Sequence, residues 1–161
     1  MRYTENQAMK AINIDDLRCR AQARLPAVVF DYLDGAAEDE ITLLANRQAF
    51  ERIHLQPRIL SGGDVDLTTK IFGQRYSTPL LIGPTGLNGL YWPQGDVHLA
   101  RAADEAGIGF ALSTASNTSM EEIARQGSAP QWFQLYPWGK PDFSKALIDR
   151  AAAAGYSALM I

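Results

Sequence analysis

From Pro79 onward the sequence alternates short apolar runs with helical stretches, and this alternation constrains the fold more than any other feature. The apolar runs are continuous, as expected for strands whose two faces are both covered. Strand, helix and strand repeated in this order predict parallel pairing through right-handed crossovers. The predicted strands are Leu80–Pro84, Gly109–Thr114, Trp132–Tyr136 and Ala158–Ile161, and the predicted helices are Asp96–Ala106, Ser119–Arg125 and Pro141–Ala154.

Two architectures are compatible with four parallel strands. One is a small open doubly wound sheet, and the other is the first half of an eight-stranded β/α barrel. No glycine-rich loop of the G-x-G-x-x-G kind follows the first strand, which disfavours a dinucleotide-binding open sheet. No loop or closing helix follows the fourth strand. We therefore expect an α/β fold that is the N-terminal half of a (β/α)8 TIM barrel, strands 1–4.

The segment before this repeat is predicted to form helices and then a β-hairpin. Residues 1–76 are expected to cap the barrel bottom and residues 77–161 to form the first four strands, within one structural domain. A separate small module is the alternative, although it is too short to bury much core alone. The predicted elements are a helix capped by Asn13, helices over Ala27–Leu33 and Glu38–Phe50, β-runs over Ile53–Leu60 and Leu67–Phe72, and a turn over Ser61–Asp64.

Charge and composition exclude several classes of protein. The net charge is −3 and the basic residues are scattered, so no nucleic-acid partner is expected. The first residues contain no apolar secretory core, and no apolar run is long enough to span a bilayer. Cys19 is the only cysteine, which fits a reducing compartment and predicts a cytoplasmic location. No Cys/His cluster has metal-ligand spacing, so no metal site is predicted.

Polar residues collect at the carboxyl ends of the predicted strands, where parallel α/β folds place their function. In Gly83–Gly89 the glycines let the backbone approach a flat ligand, and Thr85 adds a hydroxyl. Ser113 ends the second strand, and the third ends in Gln134 and Tyr136, which alternation puts on one side. An amide and a phenol there can bond a polar ring and a substrate oxygen.

Each of these residues also has a purely structural interpretation. Ser113 and Thr114 could cap the helix that follows them, and Tyr136 could be a core aromatic whose hydroxyl reaches solvent. His54 and His98 lie away from the strand ends in this scheme, and we expect both to be solvated rather than catalytic.

Five longer segments extend the pattern over almost the whole chain. They are RLPAVVFDYLDGAAEDE (Arg24 to Glu40), NRQAFERIHLQPRIL (Asn46 to Leu60), PLLIGPTGLNGLYWPQGD (Pro79 to Asp96), LSTASNTSMEEIA (Leu112 to Ala124) and WFQLY (Trp132 to Tyr136). In this order they resemble the FMN-dependent α-hydroxy acid dehydrogenases and oxidases. That family includes glycolate oxidase, flavin-linked L-lactate dehydrogenases and (S)-mandelate dehydrogenase, and the run Gly83–Gly95 is most similar to the mandelate branch.

The resemblance implies FMN as cofactor and a role for individual residues. Pro84, Thr85 and Gly86 match the segment whose backbone contacts the flavin. Ser113 and Gln134 match side chains that hydrogen-bond the isoalloxazine. The implied substrate contacts are Tyr136, whose hydroxyl meets the substrate near its reacting oxygen, and Phe30.

Three departures from the family pattern concern the substrate and the electron acceptor. Phe30 stands where a tyrosine usually bonds the substrate carboxylate, and the lost donor is worth roughly 1–2 kcal/mol. Ala115 replaces a tryptophan of glycolate oxidase, which favours a larger, aromatic 2-hydroxy acid. Gly86 stands where several oxidases carry alanine, which favours a dehydrogenase that passes electrons to a quinone or another acceptor.

The family's catalytic histidine, its carboxylate-binding arginines and its phosphate loops would all follow the fourth strand. No catalytic residue is therefore predicted in this chain, and without a general base the reaction loses about 10²–10⁴-fold. One hypothesis is the N-terminal part of an enzyme that oxidises a mandelate-like or lactate-like L-2-hydroxy acid to the 2-oxo acid. The other is a truncated, non-catalytic remnant. A homo-oligomer is expected only with the C-terminal half, and peripheral contact with the inner face of the membrane stays open.

Overall fold

Residues 11–161 are described by a computed structural model, and the chain divides into two units at Gly62 and Gly63. The first unit is helical, and the second contains a hairpin and a parallel sheet. The predicted division after residue 76 stays a prediction. The helices of the first unit are α1 (Ile14–Arg24), α2 (Ala27–Asp34) and α3 (Ile41–Glu51).

Local chemistry sets the ends of these helices. The Asp16 amide donates to Asn13 Oδ1 at 2.9 Å, which confirms the predicted N-cap of α1. Pro26 has no amide hydrogen and stands immediately before α2, where a helix needs no donor. The third helix starts later than predicted, because Glu38 and Glu40 adopt left-handed backbone with φ of 49° and 59°.

The predicted hairpin over residues 53–72 is wrong. The second predicted run, Leu67–Phe72, does contain a strand, β1 (Thr69–Ile71), which pairs antiparallel with β2 (Gln74–Tyr76) and not with residues 53–60. The connecting residues Phe72 and Gly73 both have positive φ, 48° and 79°, as a tight two-residue hairpin turn requires. Residues 53–60 form no strand. The turn-rich run at 61–64 therefore does not close a hairpin.

Four parallel strands form the sheet of the second unit, and this confirms the predicted α/β class. Their order is β3-β4-β5-β6, so neighbours in sequence are neighbours in space. Each prediction falls within about two residues of an observed element. The strands are β3 (Leu81–Ile82), β4 (Gly109–Ser113), β5 (Gln131–Gln134) and β6 (Ala158–Met160), and the helices are α4 (Asn88–Tyr91), α5 (Gly95–Ala106), α6 (Met120–Ala124) and α7 (Pro141–Ala153).

The core of this unit lies between β4, β5 and the helices that connect the strands. Every residue of β4 is buried, which agrees with its continuous apolar run. Phe110 and Phe133 are each 2% exposed, and burial of one such side chain contributes about 1.5–3 kcal/mol. The buried face of α5 carries Val97, Ala100 and Ala103.

Two glycines end helices of this unit with positive φ, and a third has a different role. Gly107 is left-handed at the end of α5, with φ of 65°, and Gly155 has φ of 90° after α7. Gly127 follows α6, and its φ is not in the positive range. A Cβ at Gly127 would lie 2.2 Å from Asp104 Cγ. Asp104 Oδ1 accepts from the Ser128 and Ala129 amides at 2.7 Å each, so close approach explains this glycine.

We expect Gly127→Ala to lower the free energy of unfolding by about 2 kcal/mol, because the added methyl displaces Asp104 from two backbone amides. Urea unfolding followed by circular dichroism measures this loss. Gly62→Ala is the control, since a Cβ at Gly62 meets nothing within 4 Å. Equal stabilities of the two variants would contradict the packing role of Gly127.

Candidate functional site at the strand ends

The sheet places the carboxyl ends of β3, β4 and β5 next to one another. In the parallel pairing of β4 with β5, Ser113 is the register partner of Gln134. Their side chains are 5% and 7% exposed. Two residues that are 21 positions apart in sequence therefore meet at one edge of the sheet.

The amide of Gln134 is oriented by the end of β4. Ser113 Oγ donates to Gln134 Oε1 at 3.3 Å, and the Thr114 amide donates to the same oxygen at 3.4 Å. Since a backbone amide can only donate, the Gln134 oxygen has to face it. Within residues 11–161 no acceptor bonds Gln134 Nε2. The group left for a ligand is therefore an NH2 donor.

Thr114 ties the end of β4 to the residues after β5. Its Oγ1 donates to the Gln134 carbonyl at 2.5 Å and accepts from the Tyr136 amide at 3.1 Å. The helix-capping interpretation of Ser113 and Thr114 is wrong, because the N-cap of α6 is Ser119. The Ser119 hydroxyl accepts from the Glu122 amide at 3.2 Å.

Tyr136 lies beyond the end of β5 and is 55% exposed. Its ring stacks on Trp138, with centroids 6.2 Å apart and planes inclined by 20°. The core-aromatic interpretation of Tyr136 is therefore wrong. An exposed phenol beside a second aromatic ring can bond a polar ligand atom and present an apolar face to it.

The loop after β3 contains Pro84, Thr85 and Gly86. In the part of the chain that the structure describes, nothing accepts from the amides of Thr85 and Gly86. A Cβ at Gly86 would lie 3.1 Å from Ala115 Cβ, so glycine allows close approach of the two loops. The next residue joins them directly, because the Leu87 amide donates to the Ala115 carbonyl at 3.0 Å.

A buried polar network beneath these loops was not predicted from the sequence. Asp96 is 1% exposed, and its carboxylate accepts from Asn88 Nδ2 and Ser116 Oγ, both at 2.6 Å. An acid in the first turn of a helix is ordinarily explained by the helix dipole. The spacing of Asp96 along the helix could have indicated its burial, because Asp96 lies on the same helical face as Ala100 and Ala103, which are buried.

Phe30 belongs to the helical unit, on α2, and is 6% exposed. The Arg18 guanidinium lies over its ring at 5.9 Å from the centroid. The substrate contact assigned to Phe30 stays a prediction. His54 and His98 are both exposed, as predicted.

Charged groups on the outer helices are paired with each other. Arg150 on α7 contacts Glu121 on α6 at 2.8 Å. A hydrogen bond from its own backbone amide, followed by the Arg150 guanidinium, lowers the pKa of Glu121. The contribution of the Glu121–Arg150 pair to stability is therefore present above the unfolded pKa of Glu121 and is lost as the pH falls. At such a pH the pair joins α6 to α7.

Neither a metal centre nor a membrane span is found among residues 11–161. No group of three or more His, Cys, Asp or Glu side chains there could hold a metal ion. None of the helices in this range is both long enough and apolar enough to cross a bilayer.

The parallel sheet carries polar groups at its carboxyl edge, which is the edge where β/α folds place their ligand sites. The sequence profile of the FMN-dependent dehydrogenase family matches residues 21–161. The chain therefore belongs to this FMN-dependent family, which confirms the predicted resemblance.

Named relatives support the same family. The chain is 46% identical over 150 residues to (S)-mandelate dehydrogenase of Pseudomonas putida, and this match covers 92% of the chain and 38% of the relative. It is 43% identical over 155 residues to L-lactate oxidase of a Nostoc species, covering 93% of the chain and 42% of that protein. The chain thus spans about two-fifths of the length of these relatives.

A solved structure confirms the barrel class. The crystal structure of a soluble mutant of the membrane-associated (S)-mandelate dehydrogenase from Pseudomonas putida superposes with a TM-score of 0.86 at 46% identity. The match covers 93% of this chain and 43% of that one. The four parallel strands are therefore part of a TIM barrel.

We expect Thr114→Val to lower the free energy of unfolding by about 1–2 kcal/mol, since it removes one donor and one acceptor without changing the side-chain shape. The freed Tyr136 amide should also alter the tyrosine–tryptophan stack. Thermal unfolding and near-UV circular dichroism measure the two effects. Thr118→Val is the control, because within the described range the Thr118 hydroxyl has no hydrogen-bond partner. Unchanged stability and spectrum in Thr114→Val would contradict the assigned role.

Proposed function

We propose that this chain forms the flavin-contacting wall of an FMN-dependent enzyme that oxidises an L-2-hydroxy acid to the 2-oxo acid. One observation carries the proposal. Two strand ends, those of β3 and β5 on either side of β4, present hydrogen-bonding groups that the fold itself does not use within residues 11–161. These are the amides of Thr85 and Gly86 and the NH2 group of Gln134.

The donor set of this wall fits an isoalloxazine ring. The polar edge of that ring carries carbonyl oxygens and ring nitrogens that accept hydrogen bonds, so it needs donors fixed in one plane. Pro84–Gly86, Ser113 and Gln134 would hold the ring, the first through its backbone and the others through side chains. When bound, FMN supplies the acceptor for the two electrons of the substrate. The residues of this chain bind and orient the ring.

The substrate is proposed to be a 2-hydroxy acid that resembles mandelate or lactate. The substrate oxygen is proposed to bond the hydroxyl of Tyr136, a residue that is exposed, and Phe30 is the second proposed contact. Ala115 is a small residue beside the Pro84–Gly86 loop, which leaves room for a larger substituent on the α-carbon. An aromatic acid is therefore the favoured substrate.

The remaining chemistry is assigned to the part of the enzyme that this chain does not span. The general base, the carboxylate-binding arginines and the phosphate site would belong there, and this chain alone would be inactive. A quinone or another acceptor would receive the electrons. A homo-oligomer would require the C-terminal half.

We place the protein in the cytoplasm, in peripheral contact with the inner face of the membrane. The single cysteine, which is free and exposed, suits a reducing compartment. The Pseudomonas putida relative is described as membrane-associated, which supports the peripheral contact.

Titration with FMN, followed by quenching of flavin fluorescence, tests the proposed cofactor site. We expect Gln134→Met to weaken binding about tenfold, because the variant keeps the length of the side chain and loses the NH2 donor. Gln131→Met is the matched control on the same strand. Its Nε2 donates to the Ile123 carbonyl at 3.1 Å, so this variant should lose stability and keep its affinity for FMN. A wild-type chain that does not bind FMN would support the non-catalytic alternative.

Reduction of bound flavin by substrate tests the size of the pocket, and it is measured in the flavin-loaded enzyme that contains this chain together with its C-terminal part. We expect mandelate to bleach the flavin absorbance, and Ala115→Leu to raise the KM for mandelate at least about tenfold by filling the space. Lactate serves as the internal control, since its methyl group should be affected less. Equal changes for both acids would argue against Ala115 as the residue that admits an aromatic substituent.

A further inference from the structure

A line of hydrogen bonds links a buried carboxylate to the loop after β3. Asp96, in the first turn of α5, accepts from Asn88 Nδ2 at 2.6 Å. Asn88 Oδ1 in turn accepts from Thr85 Oγ1 at 3.0 Å. Asp96 and Asn88 are 1% and 7% exposed, whereas Thr85 is exposed. One amide therefore connects a buried charge with a hydroxyl at the proposed flavin wall.

Chemistry fixes the direction of every bond in this line. Asn88 Nδ2 donates to the Asp96 carboxylate at 2.6 Å and to the Thr85 carbonyl at 3.2 Å, and both of these oxygens are acceptors, so the NH2 group of Asn88 has to face them. The amide oxygen is then turned toward Thr85, whose single hydroxyl hydrogen points to it. The Thr85 oxygen is left with lone pairs only. It can serve a ligand as an acceptor and not as a donor.

The second oxygen of the carboxylate holds the neighbouring loop. Ser116 Oγ, in the loop after β4, donates to Asp96 Oδ2 at 2.6 Å. The two loops are also joined on the surface, where the Gly89 amide donates to Asn117 Oδ1 at 3.0 Å. Because both Asp96 oxygens accept, the carboxylate is satisfied although it is buried.

We propose that Asp96 is a positioning residue for the flavin, which acts through Asn88 to present the Thr85 oxygen as an acceptor for a ring N–H. The inference rests on the proposed function and adds that Thr85 Oγ1 accepts, and does not donate, the hydrogen bond it makes with the ring. The isoalloxazine edge carries an N–H group among its acceptors. Beside the donating amides of Thr85 and Gly86, an acceptor at Thr85 Oγ1 would match that mixed edge.

A double-mutant cycle on the dissociation constant for FMN, in the protein that carries flavin, tests the inference. We expect Asp96→Asn to weaken binding about tenfold, because an amide at position 96 accepts from Asn88 Nδ2 more weakly than a carboxylate and leaves the Thr85 carbonyl as the main acceptor that orients Asn88. In a Thr85→Val background the same change should have no effect on FMN affinity. In a Thr85→Ser background, which retains the hydroxyl, the effect should return. A general disturbance of the loops would weaken binding in all three backgrounds.

Asp104→Asn is the matched control on the same helix. Asp104 bonds two backbone amides away from the strand ends, so its change should lower the melting temperature and leave FMN affinity unaltered. Asn88→Ala removes the amide between Asp96 and Thr85 and should weaken FMN binding as Asp96→Asn does. This second variant keeps the inference testable if Asp96→Asn does not fold.

The outcomes separate the two proposals. A wild-type protein that holds no FMN overturns the proposed function and this inference with it. A wild-type protein that holds FMN, with an Asp96→Asn effect that is absent or equal in the Thr85→Val background, overturns the inference alone.

Discussion

The hydrogen-bonded pairing of β4 with β5 is the interaction on which both the fold and the site depend. It places every residue of β4 in the core and sets Ser113 opposite Gln134. Because side chains alternate between the two faces of a strand, a slip by one residue would set Ser113 opposite Leu135 and separate the two polar groups. The apolar residues that hold the register, Phe110, Leu112 and Phe133, therefore also hold the site.

Polar groups inside an apolar fold destabilise it unless they find partners, and here they bond one another. A buried carboxylate carries a desolvation penalty of several kcal/mol, which good hydrogen bonds have to offset. Asp96 has two such bonds, and it also lies in the first turn of α5, where the helix favours negative charge. The irregular loops after β3 and β4 are thereby tied to a regular helix. This attachment gives a loop-built site the precision of a rigid element.

The parts of the fold that depend on local pattern could be predicted from the sequence. The continuous apolar run Gly109–Thr114 matches β4 to within one residue, and Ser119, the first residue of the predicted helix Ser119–Arg125, is the N-cap of α6. The hairpin could not be predicted from the turn-rich residues 61–64. Its real turn needs a positive φ at Phe72, a conformation that an aromatic residue rarely adopts and that local propensity does not reveal.

The types of residue at the site could be predicted, and their hydrogen-bond polarity could not. The positions of the predicted strand ends identified Thr85 and Gln134 as candidate ligand contacts. Whether each residue donates or accepts a hydrogen bond depends on partners elsewhere in the chain. Thr114 and Ser113 turn Gln134 into a donor, and Asp96 acts through Asn88 to turn Thr85 into an acceptor. The pattern of donors and acceptors that a ligand meets is thus set by residues beneath the surface it contacts. Two members of this family with identical contact residues can therefore bind the same ring with different strength.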